Sequence, residues 1–413
     1  MTSDSTPEKG GAEFIALMAV LMSVVAISID AMLPALGLIG RDLHVAGPNE
    51  AQYVISSIFA GMAIGQLVCG PLSDAWGRKR IIYITVCLYL IGSAVCLVSH
   101  TLPVMLVGRF LQGLGVSGPY VSTMSIVRDK YSGAAMGRVM SLIMMIFIMT
   151  PAIAPSLGVG IITFASWRYI FGLYIVYALL VMAWVTLRLK ETLPPERRIS
   201  FSAAHIVSGA RTVFGNRRTV CYMLAIAFVF GSMTGYLNSS QQIFQGHFAA
   251  GKMFALYFGS LALTFGLASL GNSRIVEKMG MRKLAIRAIA GIVGVSAIFL
   301  IINLVMAAPI WMFLIYVGCV FFGLGFLFGN LNALAMEPMG HIAGTASAII
   351  GSVSSIIAIV LGTTIGQMYN DTLLPVTGGF LLFGGLALGM VFLAGGGTPA
   401  DGRQPSAETV GFH

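Results

Sequence analysis

The sequence predicts an all-α integral membrane protein, with twelve transmembrane helices in two pseudo-symmetric six-helix halves. Three observations predict it. Of 413 residues, 57% are hydrophobic and only 9% charged, and the mean hydropathy is +0.90, far too apolar for a water-soluble chain. Apolar runs of about 20 residues recur along the whole length, enough to cross a hydrocarbon core of roughly 30 Å as helix. A short mixed-charge loop occurs twice, half a chain apart. Each span must be a helix that satisfies its own backbone, because the bilayer offers no water to N–H and C=O groups. The runs are continuous rather than alternating, which argues against barrel strands.

In chain order the spans cover 14–38, 52–72, 81–99, 103–126, 138–162, 168–189, 219–240, 252–272, 284–305, 309–335, 342–367 and 375–394. The tail 1–13 has no basic region or cleavage site, so the first span is read as its own insertion signal. The halves are 14–189 and 219–394. Between them, the linker 190–218 holds Phe201, Ile206, Val207, Val213 and Phe214. These suit a short amphipathic helix on the membrane surface; an unstructured tether is the alternative. The tail 395–413 is short and polar. Cys69, Cys87, Cys96, Cys221 and Cys319 lie in spans or at their ends, with no CxxC pair, and read as small buried residues.

Charge placement sets the topology. Twelve spans put both termini on one side, and that side carries twenty of the 24 Lys and Arg. The other side holds only Arg41, Arg168 and Lys252, while Arg109 falls within a span. The termini are therefore expected in the cytoplasm of a bacterial-type inner membrane. The net charge of +9 reports orientation, not a nucleic-acid partner.

The repeated loop is GPLSDAWGRKR, 70–80, after the second span. Its degenerate copy is GNSRIVEKMGMRK, 271–283, after the eighth. Asp74 precedes Gly77 by three and Glu277 precedes Gly280 by three; the two glycines are 203 residues apart. This is the pattern of two related halves. Transporters built so hold substrate near the midplane and rock one half against the other.

Several stretches then resemble the major facilitator superfamily. GPLSDAWGRKR resembles its signature loop, RFLQGLGVSG (109–118) its fourth-span motif, and TPAIAPSLGVG (150–160) the fifth-span motif of its antiporters. SIDAMLPAL (28–36), SIVRDKYSG (125–133) and ETLPPERR (191–198) are similar to patterns of the Bcr/CflA drug-resistance efflux family. The likeness is dense over the first 200 residues and weaker later, chiefly at HIAGTASAIIG (341–351). In the fifth span Ala154 stands before Pro155 and Val159 separates Gly158 from Gly160, where the family motif has Gly-Pro and Gly-Gly. The resemblance implies a proton-coupled exporter of small amphipathic compounds or drugs, working as a monomer among membrane lipids. Protons would be the coupling ion, with no other cofactor and no metal.

Site residues follow from the same reading. Asp30 lies about 16 residues into the first span and Arg109 about six into the fourth, so both sit in the outer half of the membrane. A charge at such depth faces a cavity or a partner. The pair reads as a proton-coupling site, with a structural ion pair, or an Arg that ties backbone carbonyls, as the alternative. In the repeated loop, Gly70 would allow close helix approach. Asp74 would accept from a helix N-terminus and Arg78 would pair with an acid, making with Gly77 a conformational latch; topology alone is the plainer role for the cations. Pro34, Gly113, Pro151, Pro155 and Gly158 would bend or pack helices, the fifth against the other half. Asn238 and Gln241 in the seventh span, with Asn330 and Asn332 in the tenth, are candidate cavity residues; helix caps and interhelical hydrogen bonds are the alternative. No nucleophile–base pair, metal cluster or phosphate loop marks an enzyme, and no sizeable soluble domain marks a receptor. A symporter or facilitator for a metabolite such as an amino acid is the competing transport reading.

Overall fold

The computed structural model describes residues 9–47, 49–198 and 203–395; Phe201, the Ile206 side chain and most of both tails lie outside that description. Every regular element among the described residues is helical. The first span comes in two pieces. Helix α1 (Lys9–Asp30) stops, a 3-10 turn follows at Leu33–Ala35, and α2 (Leu36–Asp42) completes the crossing. Pro34 explains the break, since it has no N–H to offer the carbonyl four residues back, which is that of Asp30.

The other spans are α3 (Tyr53–Trp76), α4 (Arg78–Leu97), α5 (Leu102–Lys130), α6 (Gly133–Phe164) and α7 (Arg168–Arg188). A short α8 (Ala203–Gly215) precedes the second set: α9 (Arg217–Gln241), α10 (Phe254–Met279), α11 (Met281–Val305), α12 (Ile310–Met336), α13 (Ala343–Gln367) and α14 (Leu374–Leu393). Eleven helical stretches of the described residues are apolar and long enough to cross a membrane, one fewer than the sequence reading. The difference is α5. At 29 residues it is long enough, but it carries Arg109, Gln112, Ser117, Ser122 and Thr123. All five are buried, and the helix packs against α1, α3 and α4. Arg109, Gln112 and Ser117 are hydrogen-bonded by protein, and the helix is enclosed by its neighbours, so it needs less hydrophobicity than they do.

Glycine permits that depth. A Cβ on Gly113 would press on the Met62 amide and Gly61, and one on Gly61 would press on the Leu114 amide. Here α3 and α5 touch backbone to backbone, as small residues allow in membranes. The two halves meet along α3–α13 and α6–α10. The linker does form a helix, α8, but it docks on protein: Val213 is buried and Gly209 backs onto Thr345 and Ile349 of α13. Val207 and Phe214 stay exposed.

Candidate functional site

Asp30 ends α1 at the Pro34 break and is 5% exposed. Among the described residues its carboxylate makes no hydrogen bond or ion pair. Gly158 of α6 packs on the break, where a Cβ would lie 2.9 Å from the Pro34 ring. Across the seam α9 borders the Leu33–Ala35 turn, and Gln241 lies against Gly37. The fifth-span glycine thus packs within its own half. Contact with the other half comes at Ala152, just after Pro151, whose carbonyl faces Gly259 of α10. Pro155 is also inside α6, which runs unbroken through both prolines.

Arg109 is fully buried and is not paired with Asp30. Its Nη1 and Nη2 donate to the Ser28 carbonyl at 3.1 and 3.0 Å, and its Nε donates to the Val54 carbonyl at 3.2 Å. Nη1 also donates to Gln112 Oε1 at 2.7 Å, and Gln112 passes the chain to Ser93 Oγ at 2.7 Å. The guanidinium ties α5 to α1 and α3 through backbone carbonyls, which is the alternative that the sequence left open. Two phenols stand beside it around Ser28. Tyr174 O–H donates to the Ser28 carbonyl at 3.3 Å, and Tyr89 OH pairs with Ser28 Oγ at 2.7 Å.

The first mixed-charge loop closes a compact network. Arg78 is 3% exposed; its Nη1 reaches Asp74 at 2.6 Å and Ser73 Oγ at 3.0 Å, and its Nε reaches Asp129 at 3.0 Å. The start of α4 is met by a carboxylate, but not by Asp74 as the sequence suggested. Glu191 accepts from the backbone N–H of Arg78 and Lys79, at 3.0 and 3.1 Å. Asp74, four residues before Arg78, takes the side chain instead. Gly70 also differs from expectation: a Cβ there would meet only Ala348 and Val121, at 3.9 Å, an ordinary contact. Sequence reasoning quoted the stretches containing Asp129 and Glu191 without giving either a role. The available signal was an acid set beside a basic loop in each.

At the opposite end of α3, uncharged side chains join the halves. Asn49 Nδ2 donates to the carbonyls of Gln367 (3.0 Å) and Tyr369 (2.8 Å), and Gln367 Nε2 returns to the Asn49 carbonyl at 3.0 Å. Gln242 Nε2 donates to Asn49 Oδ1 at 2.8 Å, and Gln52 donates to Gln242. Ser56 and Thr363 hydroxyls pair at 2.7 Å. Asn238 joins this seam, donating to Ser56 Oγ and the Gly362 carbonyl. Gln241 bonds Gln245 on its own helical run. Asn330 instead faces Asn272 of α10 at 2.8 Å, and Asn332 is exposed and bonds the Phe328 carbonyl one turn back. The four expected cavity residues are thus not gathered at one place. Among the described residues no ion pair joins the halves.

A family model described as Major Facilitator Superfamily matches residues 17–363. This chain belongs to the major facilitator superfamily. It is a membrane transporter, not an enzyme. It is 30% identical to a Bacillus subtilis protein named uncharacterized MFS-type transporter YdgK, over 88% of this chain and 90% of that one. It is 29% identical to the bicyclomycin resistance protein homolog of Haemophilus influenzae, over 88% and 91%. It is 25% identical to multidrug resistance protein D of Escherichia coli, over 87% and 89%. Among solved structures, a D-xylose-proton symporter superposes with a TM-score of 0.72, covering 94% of this chain and 98% of that one. At 16% identity that likeness shows the facilitator fold alone.

Proposed function

We propose that this transporter exports small amphipathic compounds, drugs among them, across the inner membrane in exchange for protons, by alternating access between 14–189 and 219–394. The observation that carries the reading is Asp30, a buried carboxylate without a protein partner at the break of the first span. Ionisable groups at such depth are functional by default, and one with no fixed counter-ion is free to exchange its proton when either side opens to water. Support comes from the relatives named for bicyclomycin and multidrug resistance. Protons are the coupling ion and no cofactor is needed. In this reading both termini are cytoplasmic, which the Lys and Arg bias supports, and the working unit is the monomer.

Alternating access needs contacts that exist in one state only. In this reading the amide seam around Asn49 holds the outer side shut, while the loop of Gly70, Asp74, Gly77 and Arg78 rests on its own half. When the inner side closes, the latch presses closer on α13, whose Ala348 already lies beside Gly70.

The test is ligand-driven proton movement in proteoliposomes, read with a pH dye against a panel of apolar drugs and amino acids. Wild type should release protons with drugs, and Asp30→Asn should be folded but silent. Downhill solute movement with no proton signal, unchanged in Asp30→Asn, would make Asp30 structural and the protein a facilitator.

A further inference from the structure

Three phenols lie within electrostatic reach of Asp30 or its neighbour Ser28. Tyr174 on α7 and Tyr89 on α4 both spend their hydroxyls on Ser28. Tyr236 on α9 differs: it is fully buried and its hydroxyl has no hydrogen-bond partner among the described residues. A buried hydroxyl without a partner carries a desolvation cost that a structure ordinarily removes. Phe could replace Tyr236 without that cost, so the hydroxyl calls for a partner in another state.

The register of the helices points to one. The first span and α9 run in the same direction, and their contact at Gly37 and Gln241 fixes how they align. Seven residues before Gly37 is Asp30; five before Gln241 is Tyr236. At about 1.5 Å per residue the two lie within about one helical turn of the same depth. The Tyr236 ring is held by its neighbours, stacked on Phe258 at 6.3 Å and edge-on to Phe321 at 5.1 Å, so its hydroxyl has little freedom to turn elsewhere. Asp30 and Tyr236 thus lie at similar depth on the two sides of the seam, within electrostatic reach, and neither side chain has a hydrogen-bond partner among the described residues.

We propose that Tyr236 is a positioning residue: its O–H donates to the Asp30 carboxylate in a second state, in which the halves rock closed on the inner side and part at the outer seam of Ser56 and Thr363. The proposal rests on the reading of Asp30 as the coupling residue. A charged carboxylate makes a strong acceptor; a protonated one makes a weak acceptor with its own proton to place. Loss of the proton therefore favours the shifted state, and gain of the proton releases Tyr236 to the arrangement seen here. Among the described residues no other charged group competes. Arg109 of α5 is committed to Ser28, Val54 and Gln112, α6 presents the uncharged Gly158, and α7 presents Tyr174.

The seam supplies a reporter that needs no ligand. Ser56→Cys and Thr363→Cys replace hydroxyls 2.7 Å apart across the halves. Disulfide yield between them is read by peptide mass spectrometry on the full chain in nanodiscs, in mildly acidic and mildly alkaline buffer. Asp30→Asn in the same background gives the pH dependence of the thiol chemistry alone. The expected result is that yield falls on going alkaline, relative to that control, by about tenfold if one hydrogen bond to a charged group sets the equilibrium. Tyr236→Phe, which keeps the ring, should track Asp30→Asn. If the parent pair itself tracks Asp30→Asn, the coupling reading of Asp30 fails. If the parent responds and Tyr236→Phe responds equally, Asp30 stands and the Tyr236 proposal is overturned. A Tyr236→Phe yield altered by the same factor in both buffers also overturns it, since that marks packing alone.

Discussion

The two mixed-charge loops share a backbone and differ in almost everything built on it. Gly77 sits at φ 98° and ψ 153° between α3 and α4; Gly280 sits at φ 76° and ψ 147° between α10 and α11. Both turns reverse the chain in a region of conformational space that essentially only glycine occupies. Around Gly77, one buried arginine holds two aspartates and a glutamate holds the next helix start. Around Gly280, the following residue is Met281. Among the described residues Arg282 reaches only the Val391 carbonyl, at 3.4 Å, and its Nε is buried without a partner. No ion pair forms there among the described residues. A duplicated fold keeps the turn because its geometry tolerates one residue type. The ion pairs are free to diverge, and here one half carries the charge lock.

Breaking that lock should give the largest effect. Arg78→Ala strands Asp129, 17% exposed, and Asp74, 42% exposed, and leaves a gap where a buried side chain stood. Removing one partner of a fully buried pair costs about 3–5 kcal/mol, and the partial exposure of both aspartates lowers this to about 2–3 kcal/mol. The equivalent change after Gly280, Met281→Ala, breaks no ion pair. Thermal unfolding in detergent should therefore drop clearly for Arg78→Ala and far less for Met281→Ala. Equal drops would mean that the ion network contributes nothing beyond packing.

Substituting the glycines sharpens the comparison from the side that the halves share. Gly77→Ala and Gly280→Ala both force a side chain into a disfavoured backbone region, at about 1–3 kcal/mol each. At Gly77 the new Cβ would also lie 2.6 Å from Glu191 Oε2 and 3.1 Å from Arg198 Nη2; at Gly280 nothing lies within 4 Å. Gly77→Ala should thus be the more destabilising, and transport should fall with it because Glu191 must leave the α4 terminus. If Gly280→Ala costs as much, backbone strain alone governs both turns.

The sequence made the turns legible because glycine, acid and base recur at fixed spacing, and it made the break at Asp30 legible because proline is unambiguous. The partners of Arg78 were harder. Asp129 and Glu191 are 51 and 113 residues away, and only the packing of α5 and the path of the linker bring them in. The amide seam was harder still. Asn49, Gln52 and Gln367 stand at span ends, where polar residues ordinarily meet water, and nothing local says that three ends converge. The polar α5 reads as a span over 103–126, although its hydropathy falls below that of the others because it is enclosed by α1, α3 and α4 and its Arg109 and Gln112 are hydrogen-bonded there. Asn330 and Asn332 show the reverse error. Two amides two residues apart on one helix look like one feature, yet they point to different faces, one to α10 and one outward.

The finest test separates the two roles of carboxylates in the first loop. Glu191 caps α4 through both oxygens and reaches no arginine side chain among the described ion pairs. Glu191→Gln keeps one acceptor oxygen but loses the charge that favours a helix N-terminus. The loss is worth about 0.3–1 kcal/mol. It should therefore lower the unfolding temperature only slightly and leave the Arg78 network intact. Added salt should shrink the difference, since an exposed charge at a helix end is screened. Adding the same change to Arg78→Ala should then be nearly additive, because capping and the ion pairs use different atoms. A strongly non-additive double variant would mean that Glu191 acts through Arg78, and that all three acids form one unit of the lock.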